Sequence, residues 1–185
     1  NVKARDSDGW TALHWACMNG HAEIVQQLLD HGAHPDRKDR IYGFTPLMLA
    51  ARQGHDRIVE SLLHYPIIVN QRDIHAETAL FDAVRNGQER CVLLLLQAGA
   101  TINHCDKNGA SPLLIATYYN RVSIAKMLIH WNCDIGLRGC APYTHLSFLP
   151  PDTLIPARQD ALEIAILEGK WDICKVLVTA GINAH

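Results

Sequence analysis

Six cysteines and eleven histidines are the side chains with the most reactive chemistry in this 185-residue chain. The cysteines are Cys17, Cys91, Cys105, Cys133, Cys140 and Cys174; they are scattered and form no CxxC pair. Most fall inside apolar helical patterns, where a free cysteine behaves as a small hydrophobe. That usage reads as reduced thiols in a cytosolic or nuclear protein rather than as a disulfide framework. Cys133, Cys140 and His145 could be imagined around a metal, but their spacing matches no common zinc pattern, so no metal is expected. A Ser/His/Asp set can be drawn from so many histidines by chance, yet none stands at a nucleophile elbow. Neither GxGxxG nor GxxxxGK followed by Ser or Thr occurs, so no phosphate cradle and no cofactor are expected. The expectation is a protein that is not an enzyme.

Composition points the same way. The chain is 48% hydrophobic and 19% charged with a formal net charge of −2, as in an ordinary folded protein. Binding to nucleic acid needs a basic surface, so none is expected. The longest apolar run, Cys91–Leu96, is far too short to insert in a membrane. No charged-then-apolar leader opens the sequence.

What positions the side chains is an internal repeat. "TALHWACMNGHAEIVQQLLDHGA" from Thr11 returns as "TPLMLAARQGHDRIVESLLHYPI" from Thr45 and "TALFDAVRNGQERCVLLLLQAGA" from Thr78. Two further copies are "SPLLIATYYNRVSIAKMLIHWNC" from Ser111 and "DALEIAILEGKWDICKVLVTAGI" from Asp160, so the first residues lie 34, 33, 33 and 49 apart. Thr11, Thr45, Thr78, Ser111 and Asp160 each offer a side-chain oxygen to the free amides of a helix start. Pro46 and Pro112 follow two of these caps, where a missing amide costs nothing. Nine residues after each cap stand Gly20, Gly54, Gly87, Asn120 and Gly169, the residue types that end a helix in the left-handed region most cheaply. A second helix is expected to end the same way at Gly32, Gly99, Asn132 and Gly181, with Pro66 as the exception. Ile24, Val25, Leu28 and Leu29 make an apolar stripe on that second helix, repeated at Ile58/Val59/Leu62/Leu63, Cys91/Val92/Leu95/Leu96 and Ile173/Cys174/Leu177/Val178. A helix pair cannot bury such a stripe alone; stacked neighbours can.

These units resemble ankyrin repeats, whose signature reads roughly DxxGxTPLHxAAxxGHxxIVxxLLxxGAxxN. The resemblance implies an all-α solenoid of stacked helix-turn-helix units with hairpin-like finger loops. Repeats are expected at about 6–38, 39–72, 73–105, 106–138 and 157–185 of a single domain spanning 1–185. Only the first copy keeps the signature histidine, as His14. Met48, Phe81, Leu114 and Glu163 replace it, so the hydrogen bonds that histidine makes in the family are expected to be missing from four repeats. "NVKAR" at the start resembles the tail of an earlier repeat, and "WDICKVLVTAGI" is too apolar for a capping face. Further repeats or domains in the same native chain are therefore expected.

The 16 residues in excess of the usual spacing fall in the connecting loop before the last repeat, at about 139–156. Pro142, Pro150, Pro151 and Pro156 exclude a helix there. One long inserted finger is expected, leaving the stack beyond Arg138 and returning near Gln159. Its apolar residues, among them Tyr143 and Phe148, either pack on the neighbouring repeats or meet a partner.

The resemblance also implies where a partner would sit: a concave groove lined by fingers and first helices. Carried over by position, its residues are Asp8, Trp10, Trp15, Met18 and Asn19, then Tyr42, Phe44, Arg52 and Gln53. The third repeat supplies His75, Glu77, Asp82, Arg85 and Asn86, the fourth Asn108, Ile115, Tyr118 and Tyr119, and the fifth Gln159, Ile164, Leu167 and Glu168. Partner binding is assigned chiefly to Trp10, Trp15, Met18, Tyr42, Phe44, Arg52, Glu77, Asp82, Arg85, Tyr118 and Tyr119, types common at interface hot spots. For Trp10, Trp15 and Phe44, packing between fingers is an equal alternative. Two adjacent tyrosines at a helix end cannot both face a core, so one of Tyr118 and Tyr119 should be exposed. The implied function is a protein-protein interaction module, a scaffold or adaptor that takes a protein or peptide ligand with apolar anchors around a charged segment. Alternatives are the substrate-recruiting arm of a ubiquitin ligase and a structural spacer without a dedicated ligand. Asn70 and Asn103 each follow an aliphatic residue and stand eight after a leucine, the context that resembles the family's asparagine hydroxylation sites, with Asn70 favoured because Pro66 weakens its repeat. Alternatively they only hydrogen-bond their own loops.

Overall fold

The computed structural model describes residues 1–139 and 159–182. These fall into two compact units, Asn1–Thr101 and Ile102–His185. The first unit holds α1 (Ala12–Met18), α2 (Ala22–Asp30), α3 (Pro46–Gln53), α4 (Asp56–Leu63), α5 (Ala79–Asn86) and α6 (Glu89–Gln97). The second holds α7 (Pro112–Tyr118), α8 (Val122–His130), α9 (Ala161–Leu167) and α10 (Trp171–Ile182). Among the described residues all regular structure is helical; the sole bridge is antiparallel and joins Gly139 to Gln159. The chain thus leaves the fourth repeat and re-enters the fifth at one paired point. Tyr143, Phe148 and the rest of the expected long finger lie outside the described residues.

All five expected caps stand in extended backbone immediately before a helix. Thr45 and Ser111 accept from the amides of Met48 and Leu114. The turns lie where glycine and asparagine place them: Gly20, Gly54, Gly87 and Gly169 have φ between 64° and 78°, and Asn120 has φ 53°. Asn132 repeats this at the end of α8 with φ 57°. Gly181 departs from expectation, because α10 runs through it to Ile182 and its φ is not in the left-handed region.

The first helices pack in a row, α1 on α3 and α3 on α5 in the first unit, α7 on α9 in the second. The second helices follow, α2 on α4, α4 on α6, and α8 on α10. The stripes supply the core between them: Val25, Val59, Val92, Leu62, Leu95 and Ile173 have no accessible surface. Stripe edges differ. Ile58 and Cys91 are 1% exposed, but Ile24 at the matching place in the first repeat is 48% exposed. Val178 in the last is 45% exposed, whereas Leu29 and Leu96 are buried. Each stripe therefore serves two neighbours, and its outer position is covered only where a neighbouring pair lies against it.

The expected loss of the signature histidine's hydrogen bonds is only partly realised. Nδ1 of His14 accepts from the Thr11 amide at 3.1 Å and lies 2.8 Å from its hydroxyl. That leaves Nε2 to donate to the Phe44 carbonyl, 3.3 Å away in the next repeat. Burial holds this imidazole below its ordinary pKa, in the neutral form the network needs. Glu163 restores the local half of the device: its carboxylate accepts from the Asp160 amide at 3.1 Å while Asp160 accepts from the Glu163 amide at 2.9 Å, a reciprocal capping box. In the second repeat the Thr45 amide meets only the Met48 sulfur at 3.5 Å. Phe81 and Leu114 have no accessible surface, so there apolar burial stands in place of the bond.

Candidate interaction surface

In the first unit the expected groove residues gather around two aromatic pairs and one ion-pair chain. Trp15 stands on the exposed side of α1, its ring 4.6 Å from that of Trp10 and its Nε1 donating to Asp6 at 3.1 Å. It remains 53% exposed, so the indole is held in place with its face open. Met18, at the end of the same helix, takes a contact from the Gln53 amide at 3.4 Å. Tyr42 stacks on Phe44 at 5.4 Å, and Phe44 is buried beneath it. The guanidinium of Arg52 lies over the Phe44 ring, 4.3 Å from its centre, which fixes the plane of the arginine.

From Arg52 the chain runs inward. Its Nε donates to Asp82 at 2.8 Å. Arg85 approaches the same carboxylate at 4.0 Å and pairs through both guanidinium nitrogens with Glu77, one contact being 2.9 Å. Two cations and two carboxylates cancel, so this centre offers a partner no net charge. It also corrects the reading of Glu77 and Asp82 as direct contacts. They are 5% and 1% exposed and serve as buried supports for two arginines. Burial pushes the Asp82 carboxyl up to about 6 against the pull of Arg52 and Arg85.

In the second unit Tyr118 and Tyr119 meet edge to face, ring centres 5.2 Å apart. Both are half-buried, so neither is as open as expected. The Lys170 ammonium lies 5.0 Å from the centre of the Tyr118 ring and donates to the Tyr118 carbonyl. Arg138 pairs with Glu163, with Asp160 4.0 Å away. The side chains of Asn70 and Asn103 reach across to the loop of the following repeat. Asn70 accepts from the Thr101 amide at 2.8 Å and donates to the Gly99 carbonyl at 3.1 Å, and Asn103 accepts from the Asp134 amide at 2.8 Å. Each asparagine ties its loop to the loop one repeat on.

One set of positioning residues was not anticipated. In three repeats the polar residue ten after the cap reaches back to a carbonyl in the last turn of the preceding first helix: His55 to Met18 at 3.3 Å, Gln88 to Arg52 at 3.5 Å, and Lys170 to Tyr118. The candidate contacts Met18, Arg52 and Tyr118 are thus held from behind by side chains more than thirty residues away. The only sequence signal is a polar side chain directly after each turn.

Among the described residues reactive groups are not assembled. Cys17, Cys91, Cys133 and Cys174 are buried thiols, and Cys105 is a half-buried one. Burial pushes the thiols of Cys91 and Cys133 up to about 11, away from the thiolate form. Cys140 and His145 of the conceivable metal triad lie outside the described residues. Among the described residues no group of three or more His, Cys, Asp or Glu is placed to hold a metal, and no helix is long and apolar enough to cross a membrane.

Comparison with known proteins adds the family. The family described as ankyrin repeats (3 copies) matches residues 1–73 and 67–138. The fowlpox virus ankyrin repeat protein FPV031 is 33% identical over 126 residues, 66% of this chain and 37% of that protein. The target of rapamycin complex 2 subunit AVO2 of Saccharomyces cerevisiae is 30% identical over 125 residues, 66% of this chain and 29% of its own length. The ankyrin repeat domain-containing protein SAT10 of Stachybotrys chartarum is 30% identical over 177 residues, 94% of this chain but 8% of that protein. This chain therefore spans about a third or less of these curated relatives. With five capped helix pairs and a family match running from residue 1 to residue 138, the chain belongs to the ankyrin repeat family.

Proposed function

We propose that this chain is a protein-protein interaction module that uses the open side of its first helices and fingers to hold a partner protein or peptide, in the manner of a scaffold or adaptor. Ankyrin repeats are generally interaction modules, which supports the coarse reading. The observation that carries the finer one is Trp15, a large aromatic held by Trp10 and Asp6 yet 53% exposed, in the same unit as a guanidinium fixed on Phe44. Rigid, open Trp and Arg are the side chains from which interface hot spots are made. A spacer array has no need to hold an exposed indole in place. The relative named as a subunit of target of rapamycin complex 2 is itself part of an assembly, which agrees with an adaptor role here.

Affinity capture from cell extract, with wild type, Trp15→Ala and Tyr118→Ala/Tyr119→Ala compared side by side, tests this. Trp15→Ala is expected to fold normally and to lose a captured protein, at a cost of about 2 kcal/mol of binding. If both variants fold and capture the same proteins as wild type in equal amounts, this surface is not the site.

Hydroxylation of Asn70 or Asn103 is a separate proposal drawn from the resemblance. Both side chains are engaged by the neighbouring loop, so an enzyme must wait for local opening. α4 ends at Leu63, before Pro66, and has no glycine turn to close it, which keeps Asn70 the favoured site. Mass spectrometry is expected to show a gain of one oxygen on the Asn70 peptide. Unmodified peptides beside a hydroxylated control substrate would remove the proposal.

A further inference from the structure

The fingers of the first unit present a second surface. We infer that the outer edge of the Asp39–Phe44 and Asp73–Glu77 fingers docks an acidic segment of a partner protein in which aliphatic or aromatic residues are interspersed. The inference rests on the interaction-module reading and names the chemistry of the partner.

The acids of these fingers face inward. Asp39 accepts from four amides, those of Ile41, Tyr42 and Gly43 on one oxygen and of Phe44 on the other. Asp73 accepts from the amides of His75 and Glu77. Both are buried, at 6% and 9% exposure, and Glu77 is bound to Arg85. What remains outside is basic. Arg37, Lys38, Arg40 and Arg72 are all exposed, and none pairs with a carboxylate among the described residues. Lys38 is held between the two fingers by donating to the Arg72 carbonyl at 2.6 Å, and Arg40 lies over Gly9 of the first finger. Asp6 and Asp8 of that first finger are the exposed acids at this edge, and Asp6 is occupied by the amides of Asp8 and Trp10 and by the Trp15 indole.

Between these cations stand Ile41, Tyr42 and Ile74, exposed by 48%, 48% and 43%. They form one surface because the fingers are joined edge to edge: the Ile74 amide donates to the Tyr42 carbonyl at 2.9 Å, and the Arg40 amide to the Asp8 carbonyl at 2.9 Å. The one residue by which the first repeat spacing exceeds the second falls in this finger, which turns over Asp39–Phe44 where the others turn over Asp6–Trp10 and Asp73–Glu77. That extra length is what carries Ile41 and Tyr42 outward. Four unpaired cations around three apolar side chains, in a chain of net charge −2, select for local acid plus grease. Two of the three apolar groups are isoleucines, which pack on aliphatic side chains and give bases nothing to stack on, so a peptide fits better than a nucleic acid.

Selection of a random peptide library on the 185-residue chain, followed by fluorescence anisotropy on the labelled winners, tests the inference. Enriched peptides are expected to combine Asp or Glu with Leu, Ile or Phe. Their binding should weaken about tenfold or more in Arg40→Glu/Arg72→Glu and in Ile41→Ser/Tyr42→Ala, weaken further as salt rises, and be unchanged in Trp15→Ala. All variants change exposed positions, and circular dichroism checks that each keeps the wild-type spectrum. Winners without acidic residues, winners indifferent to both finger variants, or no winners at all overturn the inference. Winners that fail on Trp15→Ala alone overturn it while leaving the interaction-module reading intact. Binding of polyuridine in place of acidic peptides, abolished by Arg40→Glu/Arg72→Glu, would give this edge to nucleic acid and also overturn it.

Discussion

Replacing Arg85 with methionine is expected to destabilise the first unit by about 3 kcal/mol or more, because it strands two buried carboxylates. Arg85 holds Glu77 through both guanidinium nitrogens and stands 4.0 Å from Asp82. The side chains of Glu77 and Asp82 are 7% and 2% exposed, so water cannot replace the lost cation. Arg52 remains for Asp82, but nothing comparable remains for Glu77. The pH dependence gives a second readout. The folded pKa of Asp82 is raised from 3.8 to about 6, so between those values the folded state binds the proton that the unfolded state has released. Stability from this group therefore rises as pH falls from about 6 towards 4, opposite to the usual carboxylate; at about 1.4 kcal/mol per pKa unit the full span is about 3 kcal/mol. Without Arg85 the shift grows, so the gap between Arg85→Met and wild type should narrow on moving from neutral pH to near pH 5. Urea titrations with hydrogen exchange on amides of the first unit would read both. A gap that stays constant or widens on acidification would show that the carboxylates are not the stranded groups. Asp82→Asn should flatten the wild-type pH dependence between about 4 and 6.

Phe81→Ala is expected to cost about 3–5 kcal/mol, the usual range for emptying a buried phenylalanine site. Phe81 is the largest side chain with no accessible surface among the described residues, and it stands at the place held by His14 in the first repeat. There a buried aromatic ring takes the place of a hydrogen-bonded imidazole, and the Thr78 side chain makes no cap bond in α5. The truncation removes that packing and leaves a cavity between close-set helices, α3 lying against α5 and α5 against α6. Phe81→Leu should recover most of the loss. Chemical denaturation of the two variants compares them directly. An alanine variant within about 1 kcal/mol of wild type would mean that the site collapses and that this repeat does not depend on its phenylalanine.

The helices, turns and repeat spacing were legible in the letters because they rest on local physics. A short side-chain oxygen caps the amides two or three residues on, and only glycine or asparagine enters the left-handed region cheaply, so Asn120 and Asn132 could be read as turns before their φ of 53° and 57° were seen. The apolar stripe likewise says which face of a second helix is inward. It does not say what lies across that face. Ile24 and Ile58 have the same place in the pattern, and one is exposed while the other is buried, because burial is supplied by a neighbour about thirty residues away. The same distance hid the fate of Glu77 and Asp82, which look like groove charges by position and become buried supports once Arg52 and Arg85 converge on them. His55, Gln88 and Lys170 were unreadable as supports for a similar reason: each serves a carbonyl of the preceding repeat. Sequence by itself determined what each residue does to its own helix and turn, where i to i+4 geometry is obligatory. Which side chains face a partner was decided only by tertiary structure, because a charge or an aromatic ring is exposed only if no neighbouring repeat brings it a counter-ion or a packing surface first.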